Sequence, residues 1–409
     1  MADLAGVATT YGTPAYVYQL GEVRDAYQQL RGALPGEAVL FYSLKANPLP
    51  AITEELAALG AWAEVSSAGE LGVALEAGVP ADHILYTGPG KSAHEICHAL
   101  ERGVRRFSVD SPEQARAVAS LGAGKSKGAE LLLRVNPEFA AGAAGLLMGG
   151  GSASPFGADQ AWIRQRADEF LPPTGATLAG FHFFVATNLE SEAAVVAAFG
   201  ACLDAARELS DALGIEPRWI DLGGGFASPY AASGARPVYA NITPTIAGLL
   251  DKAFAGWRHG APRIAFESGR YLVGSAGTLL STVVDVKRSN GRTVVVLDTG
   301  IHHLGGMAGL RRLPRAVPSV LSVGGAGSPC VGPTDVVGPL CTPLDCFGRG
   351  LEMPRVAIGD VVAVPNVGAY GLTASLIGFL SRDCPTEVVL DGDEVRQASR
   401  LTLCRSDLL

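Results

Sequence analysis

The amino-acid sequence predicts an α/β protein with an N-terminal (β/α)8 barrel followed by a C-terminal β domain. Two observations carry the prediction. Eight short apolar stretches recur over about 230 residues, most of them separated by a helical pattern, which is the usual span of such a barrel. After Tyr271 the rhythm changes, and strand-like pieces follow one another across Gly and Pro turns without long helices between them. The 409 residues, 48% hydrophobic and 18% charged with a mean hydropathy of +0.25, suffice for two folded domains.

Taken in order, the chain opens with a strand-like Ala15–Gln19 and a helical pattern from Glu22 to Leu34. The expected barrel strands lie at Val39–Ser43, Trp62–Val65, Ile84–Thr87, Phe107–Val109, Leu131–Val135, Ala179–Val185, Trp219–Leu222 and Ile264–Glu267. Helices are expected at Ala68–Ala77, Ala93–Arg102, Pro112–Leu121 and Glu190–Leu213. A doubly wound sheet is the alternative, but no GxGxxG follows the first strand. The Gly- and Ala-rich stretch Glu138–Asp159 reads as a long loop. Later strands are expected at Ser281–Val286, Thr293–Leu297, Val361–Val364 and Thr386–Leu390. The early strand at Ala15 has no place among the eight. The expected division is therefore 1–30 contributing to the β domain, 31–270 forming the barrel and 271–409 the β domain.

Charge and composition narrow the function. A net charge of −8, a pI near 5.5 and the lack of a basic run argue against nucleic acid or an anionic membrane as partner. The N-terminus lacks a signal-peptide pattern, and no apolar run approaches the roughly 18–20 residues that span a bilayer. Seven cysteines without a CxxC pair or zinc-like clustering read as reduced thiols, so a cytoplasmic protein without a metal is expected. His302 and His303 resemble a metal pair, but adjacent residues seldom converge on one ion, and structural contacts fit them better.

A barrel of this kind places its chemistry at the C-terminal ends of its strands. Lys45 follows the first strand and Glu64 lies near the end of the second. Arg134 lies in the fifth, Thr187 follows the sixth, Gly223, Gly224 and Gly225 follow the seventh, and Glu267 to Arg270 close the eighth. Each alone has a plain structural reading, as a snorkelling lysine, a turn or a surface ion pair. Together they supply an amine that forms Schiff bases, a carboxylate that can hold a pyridine nitrogen protonated, and a glycine and arginine grip for phosphate. Those are the requirements of pyridoxal 5′-phosphate.

The motifs YSLKANP (42–48), AEVSSAGEL (63–71), DLGGGF (221–226), ESGR (267–270), GPLCTPLD (338–345) and GAYG (368–371) occur in this order. With them, nearly the whole chain resembles the fold type III pyridoxal-phosphate decarboxylases, the ornithine and diaminopimelate decarboxylase group, whose barrel and β domain are of the alanine-racemase type. The resemblance implies that Lys45 holds the cofactor as a Schiff base and that Glu267 faces its ring nitrogen. It implies that Glu64, Arg134, Phe184, Thr187, Gly223, Gly224, Gly225, Gly269, Arg270 and Tyr370 complete the cofactor site. It further implies a homodimer in which each site borrows Cys341 from the partner, to return a proton to Cα after CO2 leaves.

Three departures from the family pattern stand out. Phe184 replaces a common ring-stacking His, with His182 two positions earlier on the same side of the strand. Ala186-Thr187 replaces Gly-Ser, and ESGR replaces the common EPGR. The position after Cys341, usually acidic in enzymes that take a diamino acid, is Thr342. The CTPLD form resembles the subgroup acting on modified or carrier-linked amino acids, such as a glutamyl group on an acyl carrier protein. Thr342 and Asp345 are then expected at the substrate, with Arg312 and Arg315 meeting a carboxylate or a carrier phosphate. Diaminopimelate or ornithine decarboxylation, racemisation and a catalytically dead binding protein are the alternative readings.

Overall fold

The computed structural model describes residues 3–124, 128–138, 146–147, 154–305, 318–323 and 332–407. By packing, the chain divides into two compact units. One comprises Ala26–Ala227 and Pro237–Leu272; the other comprises Met1–Asp25, Ser228–Arg236 and Val273–Leu409. The short segment Ser228–Arg236, which the expected boundaries leave in the barrel, groups with the second unit.

The first unit is the closed parallel barrel. Its strands are Val39–Ser43, Trp62–Val65, Ile84–Tyr86, Arg106–Val109, Ala129–Asn136, Ala176–Phe183, Trp219–Asp221 and Arg263–Ser268. Each pairs in parallel with the next, and the eighth pairs with the first to close the ring. All eight expected strands are present, and four of the helices between them begin on serine caps. Ser67, Ser92, Ser111 and Ser191 accept hydrogen bonds from the backbone N–H groups of Glu70, Glu95, Gln114 and Ala194. Each cap satisfies an orphan donor where a strand turns back into a helix.

Strand periodicity sorts the barrel interior into levels. Phe41, Leu85, Leu132, Ala179, Trp219 and Ala265 form a buried cluster. Two residues further along their strands stand Ser43, Thr87, Arg134, Asp221 and Glu267, all buried. Glu64, Ser108 and His182 are buried as well. The apolar cluster therefore carries a polar ring on its C-terminal side.

The second unit is a mixed sheet of nine strands. Its long strand Gly277–Ser289 pairs with Ala15–Gln19, Arg292–Leu297 and Val361–Val364. Ala15–Gln19 also runs parallel to Thr386–Asp391. The strands Thr334–Val337, Cys346–Leu351 and Glu394–Arg400, absent from the sequence reading, complete one side and one edge. Within the expected loop Glu138–Asp159, Ala158 pairs with Val135 and Leu147 with Ala186. The glycine run 149–151 lies outside the described residues.

Candidate active site

The first strand ends in a single helical turn, Leu44–Ala46, that carries Lys45. Its Nζ donates to both carboxylate oxygens of Glu64, at 3.0 and 2.9 Å. The lysine side chain is 37% exposed and the glutamate 2%, so the pair faces a buried wall on one side and an opening on the other. Burial alone would raise the Glu64 carboxyl; Lys45 and hydrogen bonds from Ser43 and Thr87 outweigh it and hold the pKa at about 2. The Phe184 ring lies 5.5 Å from Lys45 Nζ and 5.9 Å from the Arg134 guanidinium. Phe156 covers Arg134 at 4.8 Å.

The glycines are required by crowding. Gly223 has a φ of +71°, and a Cβ there would come 2.0 Å from the Phe183 carbonyl oxygen. A Cβ on Gly224 would come 2.5 Å from the Glu267 carbonyl oxygen. Backbone bonds stitch the run to its neighbours: Glu267 N donates to Gly223 O at 2.8 Å and Leu189 N to Gly225 O at 2.7 Å. A side chain on Gly269 would meet Ala46 at 2.7 Å, which keeps the ends of the eighth and first strands close beside Lys45. Arg270 opens the short helix that follows, and Thr187 pairs with Leu146 just past the sixth strand.

Glu267 is 1% exposed, and its Oε1 lacks a well-aligned hydrogen bond among the described residues. His182 Nε2 lies 3.2 Å away. Asp221 accepts from Gly223 N at 2.9 Å. Burial, then the neighbouring Glu267 and Glu64 charges, push its carboxyl well above the usual range. Lys91, after the third strand, was missed in the sequence although GPGKS (88–92) places a second lysine on the same rim. Burial, with help from the Arg134 charge and against Asp110, lowers its ammonium to about 8.

Lys45, Glu64, Arg134, Phe184, Thr187, the glycine run, Glu267, Gly269 and Arg270 all belong to the barrel unit. Cys341, Thr342, Asp345 and Tyr370 belong to the β unit. Cys341 is exposed, and Thr342 Oγ1 accepts from Leu344 N at 3.3 Å. Tyr370 has a φ of +54°, a left-handed backbone that is uncommon outside glycine. Asp345 is 3% exposed, and its oxygens accept from Ile301 N at 2.8 Å and Leu340 N at 2.7 Å. It braces the turn from within. Arg312 and Arg315, expected at the substrate, lie outside the described residues.

The fold and the rim define a barrel enzyme suited to pyridoxal phosphate. The fit is chemical: an amine at a strand end, a crowded glycine turn, and a buried carboxylate, Glu267, whose charge suits a protonated pyridine. The family model for the pyridoxal-binding domain of pyridoxal-dependent decarboxylases matches residues 20–274, and the chain belongs to that family. It is 29% identical over 391 residues to the L-glutamyl-[BtrI acyl-carrier protein] decarboxylase of Niallia circulans, covering 95% of this chain and 91% of that one. It is 32% identical over 398 residues to the diaminopimelate decarboxylase of Methanothermobacter thermautotrophicus, covering 95% and 89%. The crystal structure of the M. jannaschii diaminopimelate decarboxylase superposes with a TM-score of 0.85 at 26% identity, over 97% of this chain and 92% of that one. The protein is a pyridoxal-phosphate-dependent amino-acid decarboxylase. Among the described residues no helix is long and apolar enough to cross a membrane.

Proposed function

We propose that this decarboxylase acts on an amino acid whose distal end is neutral, acylated or carrier-linked, and that it works as a homodimer with shared sites. The observation that carries the substrate reading is the turn 338–345. Thr342 offers a hydroxyl, and Asp345, the one acid in that turn, has its carboxylate engaged by backbone N–H groups. A distal ammonium meets no free counter-charge from this turn. The similarity to a decarboxylase of a carrier-bound glutamyl group supports the same reading.

Bound pyridoxal phosphate supplies an electron sink conjugated to the substrate amine. Lys45 provides the amine that holds it, oriented by the ionised Glu64. Glu267 would face the ring nitrogen and keep a proton there, with Phe184 against the ring. The glycine run, Thr187, Arg270 and Tyr370 would hold the phosphate, and Arg134 would add positive charge. The bond from Cα to the carboxylate breaks, CO2 departs, and the electron pair left at Cα takes a proton from the Cys341 thiol of the partner. Leu344, 76% exposed three residues from Cys341, fits a turn that a second subunit covers.

The test is CO2 release from a glutamyl group on an acyl carrier protein, compared with free glutamate, ornithine, lysine and diaminopimelate. The carrier-bound substrate is expected to give the highest kcat/KM. Diaminopimelate turnover in the range usual for enzymes on their own substrates, above about 10⁴ M⁻¹s⁻¹, overturns the substrate reading.

A further inference from the structure

Around the cofactor carboxylate, Glu267, lie two buried groups to which the reaction assigns no work, His182 and Asp221. His182, Asp221 and Glu267 stand on three consecutive barrel strands, with His182 and Asp221 direct register partners. Their polar side-chain atoms lie within 4.8 Å of one another, and their exposures are 1%, 0% and 1%. From two strands away, Ser108 Oγ lies 2.7 Å from His182 Nδ1. Three buried polar atoms without an aligned hydrogen bond meet here: His182 Nε2, Glu267 Oε1 and Asp221 Oδ2. Unpaired polar atoms of this kind are costly, and three in one place mark a site where protons decide the structure.

The tautomer follows from charge. If His182 carried its proton on Nδ1, the Nε2 lone pair would face the Glu267 carboxylate at 3.2 Å and be repelled. With the Ser108 hydroxyl donating to Nδ1, Nε2 carries the proton and points it at an acceptor. A cation bound by the three groups would need both carboxylates ionised, whereas burial favours the neutral form of Asp221.

We propose that His182 is a positioning residue for Glu267: clamped at Nδ1 by Ser108, it donates from Nε2 to Oε1 and so leaves the other carboxylate oxygen for the cofactor ring nitrogen. Asp221, whose carboxyl burial and the neighbouring Glu267 charge push up, lies beside the same carboxylate. Other charged or titratable groups around it are Glu64 on the second strand, Arg134 on the fifth and the Cys202 thiol, raised by burial and by Asp221, on the helix Glu192–Leu213. The inference rests on the reading that Glu267 faces the ring nitrogen.

The experiment is a double-mutant cycle on the dissociation constant of pyridoxal phosphate, measured by fluorescence titration of the apoprotein. His182→Phe is expected to weaken binding about 10- to 100-fold, the range seen for outer-shell partners of metal ligands. His182→Gln, which keeps a donor, is expected to recover most of that loss. In a Glu267→Gln background the effect of His182→Phe should shrink below about threefold, because the acceptor has lost its charge. Equal losses in both backgrounds would show that His182 acts by packing alone and would overturn the inference while leaving the role of Glu267 intact. Wild-type affinity in Glu267→Gln alone would instead remove the reading of Glu267, and this inference with it. If His182→Phe fails to fold, Ser108→Ala replaces it in the cycle, with an expected loss of about 3- to 10-fold that Glu267→Gln suppresses. Imidazole ¹⁵N shifts of the wild-type apoprotein give an independent reading: Nε2–H is expected, and Nδ1–H contradicts the proposal.

Discussion

Lys45, Glu64 and Glu267 stand at the ends of strands held by hydrogen-bonded neighbours on both sides, and their side chains meet polar partners inside the barrel. The turn that carries Cys341 is built otherwise. Asp345 anchors its base through two backbone N–H groups, but Cys341 is exposed at its crest and Leu344 is 76% exposed beside it. The contrast separates two ways of making a site. Sheet register places groups whose geometry must be correct before any ligand arrives, at the cost of desolvating them. A braced turn keeps its reactive crest open, and its geometry is completed by whatever covers it.

The largest effect expected from breaking that contrast is on the barrel side. Lys45→Ala should abolish the borohydride-sensitive visible absorption of the holoprotein and lower kcat by on the order of 10⁴-fold or more. It also leaves Glu64 buried without its cation, so its carboxyl pKa should rise and thermal stability should fall. Wild-type absorbance and CO2 release in this variant would contradict the assignment of Lys45.

On the turn, Thr342→Glu should improve binding of ornithine or diaminopimelate by about 5- to 150-fold, the worth of roughly 1–3 kcal/mol for a charge-assisted hydrogen bond. The readout is KM or the inhibition constant of the diamino acid in variant and wild type. An unchanged value would place the distal end of the substrate away from position 342.

Most of the barrel was legible because strand and helix periods differ. The eight strands, Lys45, Glu64 and Glu267 follow from that rhythm. The roles of Asp345 and His182 were not legible. Nothing in GPLCTPLD says that the acid folds back onto the N–H groups of Leu340, within the motif, and of Ile301, 44 residues earlier. The pairing of His182 with Ser108 joins strands two apart in the ring, between residues 74 positions apart, and only the folded barrel shows it. The β-unit edge strands were missed for a different reason. Cys346–Leu351 and Glu394–Arg400 are polar or glycine-rich and half exposed, so their side chains lack a clear alternation.

A smaller effect separates the units by pH. Burial lowers His302 to about 4 and His303 to about 3, with the Arg382 charge adding to both. The unfolded chain binds those protons near 6.5, so the stability they contribute is present above pH 6.5 and is lost as pH falls toward 4. The contribution of Glu64, whose carboxyl is held at about 2, is lost only below its ordinary value of 4.5. Acid titration followed by hydrogen exchange should therefore loosen the strands around Arg292–Leu297 before the barrel strands, by roughly 2 kcal/mol per histidine at pH 5. Replacing both histidines with Asn should flatten that dependence, and an unchanged acid limb would assign it elsewhere.

The most direct test of a site divided between a preset rim and an open turn is complementation. Lys45→Ala keeps an intact turn, and Cys341→Ala keeps an intact rim. Each alone should be nearly inactive, and mixing them under conditions of verified subunit exchange should restore about a quarter of wild-type activity, because half of the molecules become hybrids with one complete site each. Activity that stays at the level of the two inactive parents would contradict the account.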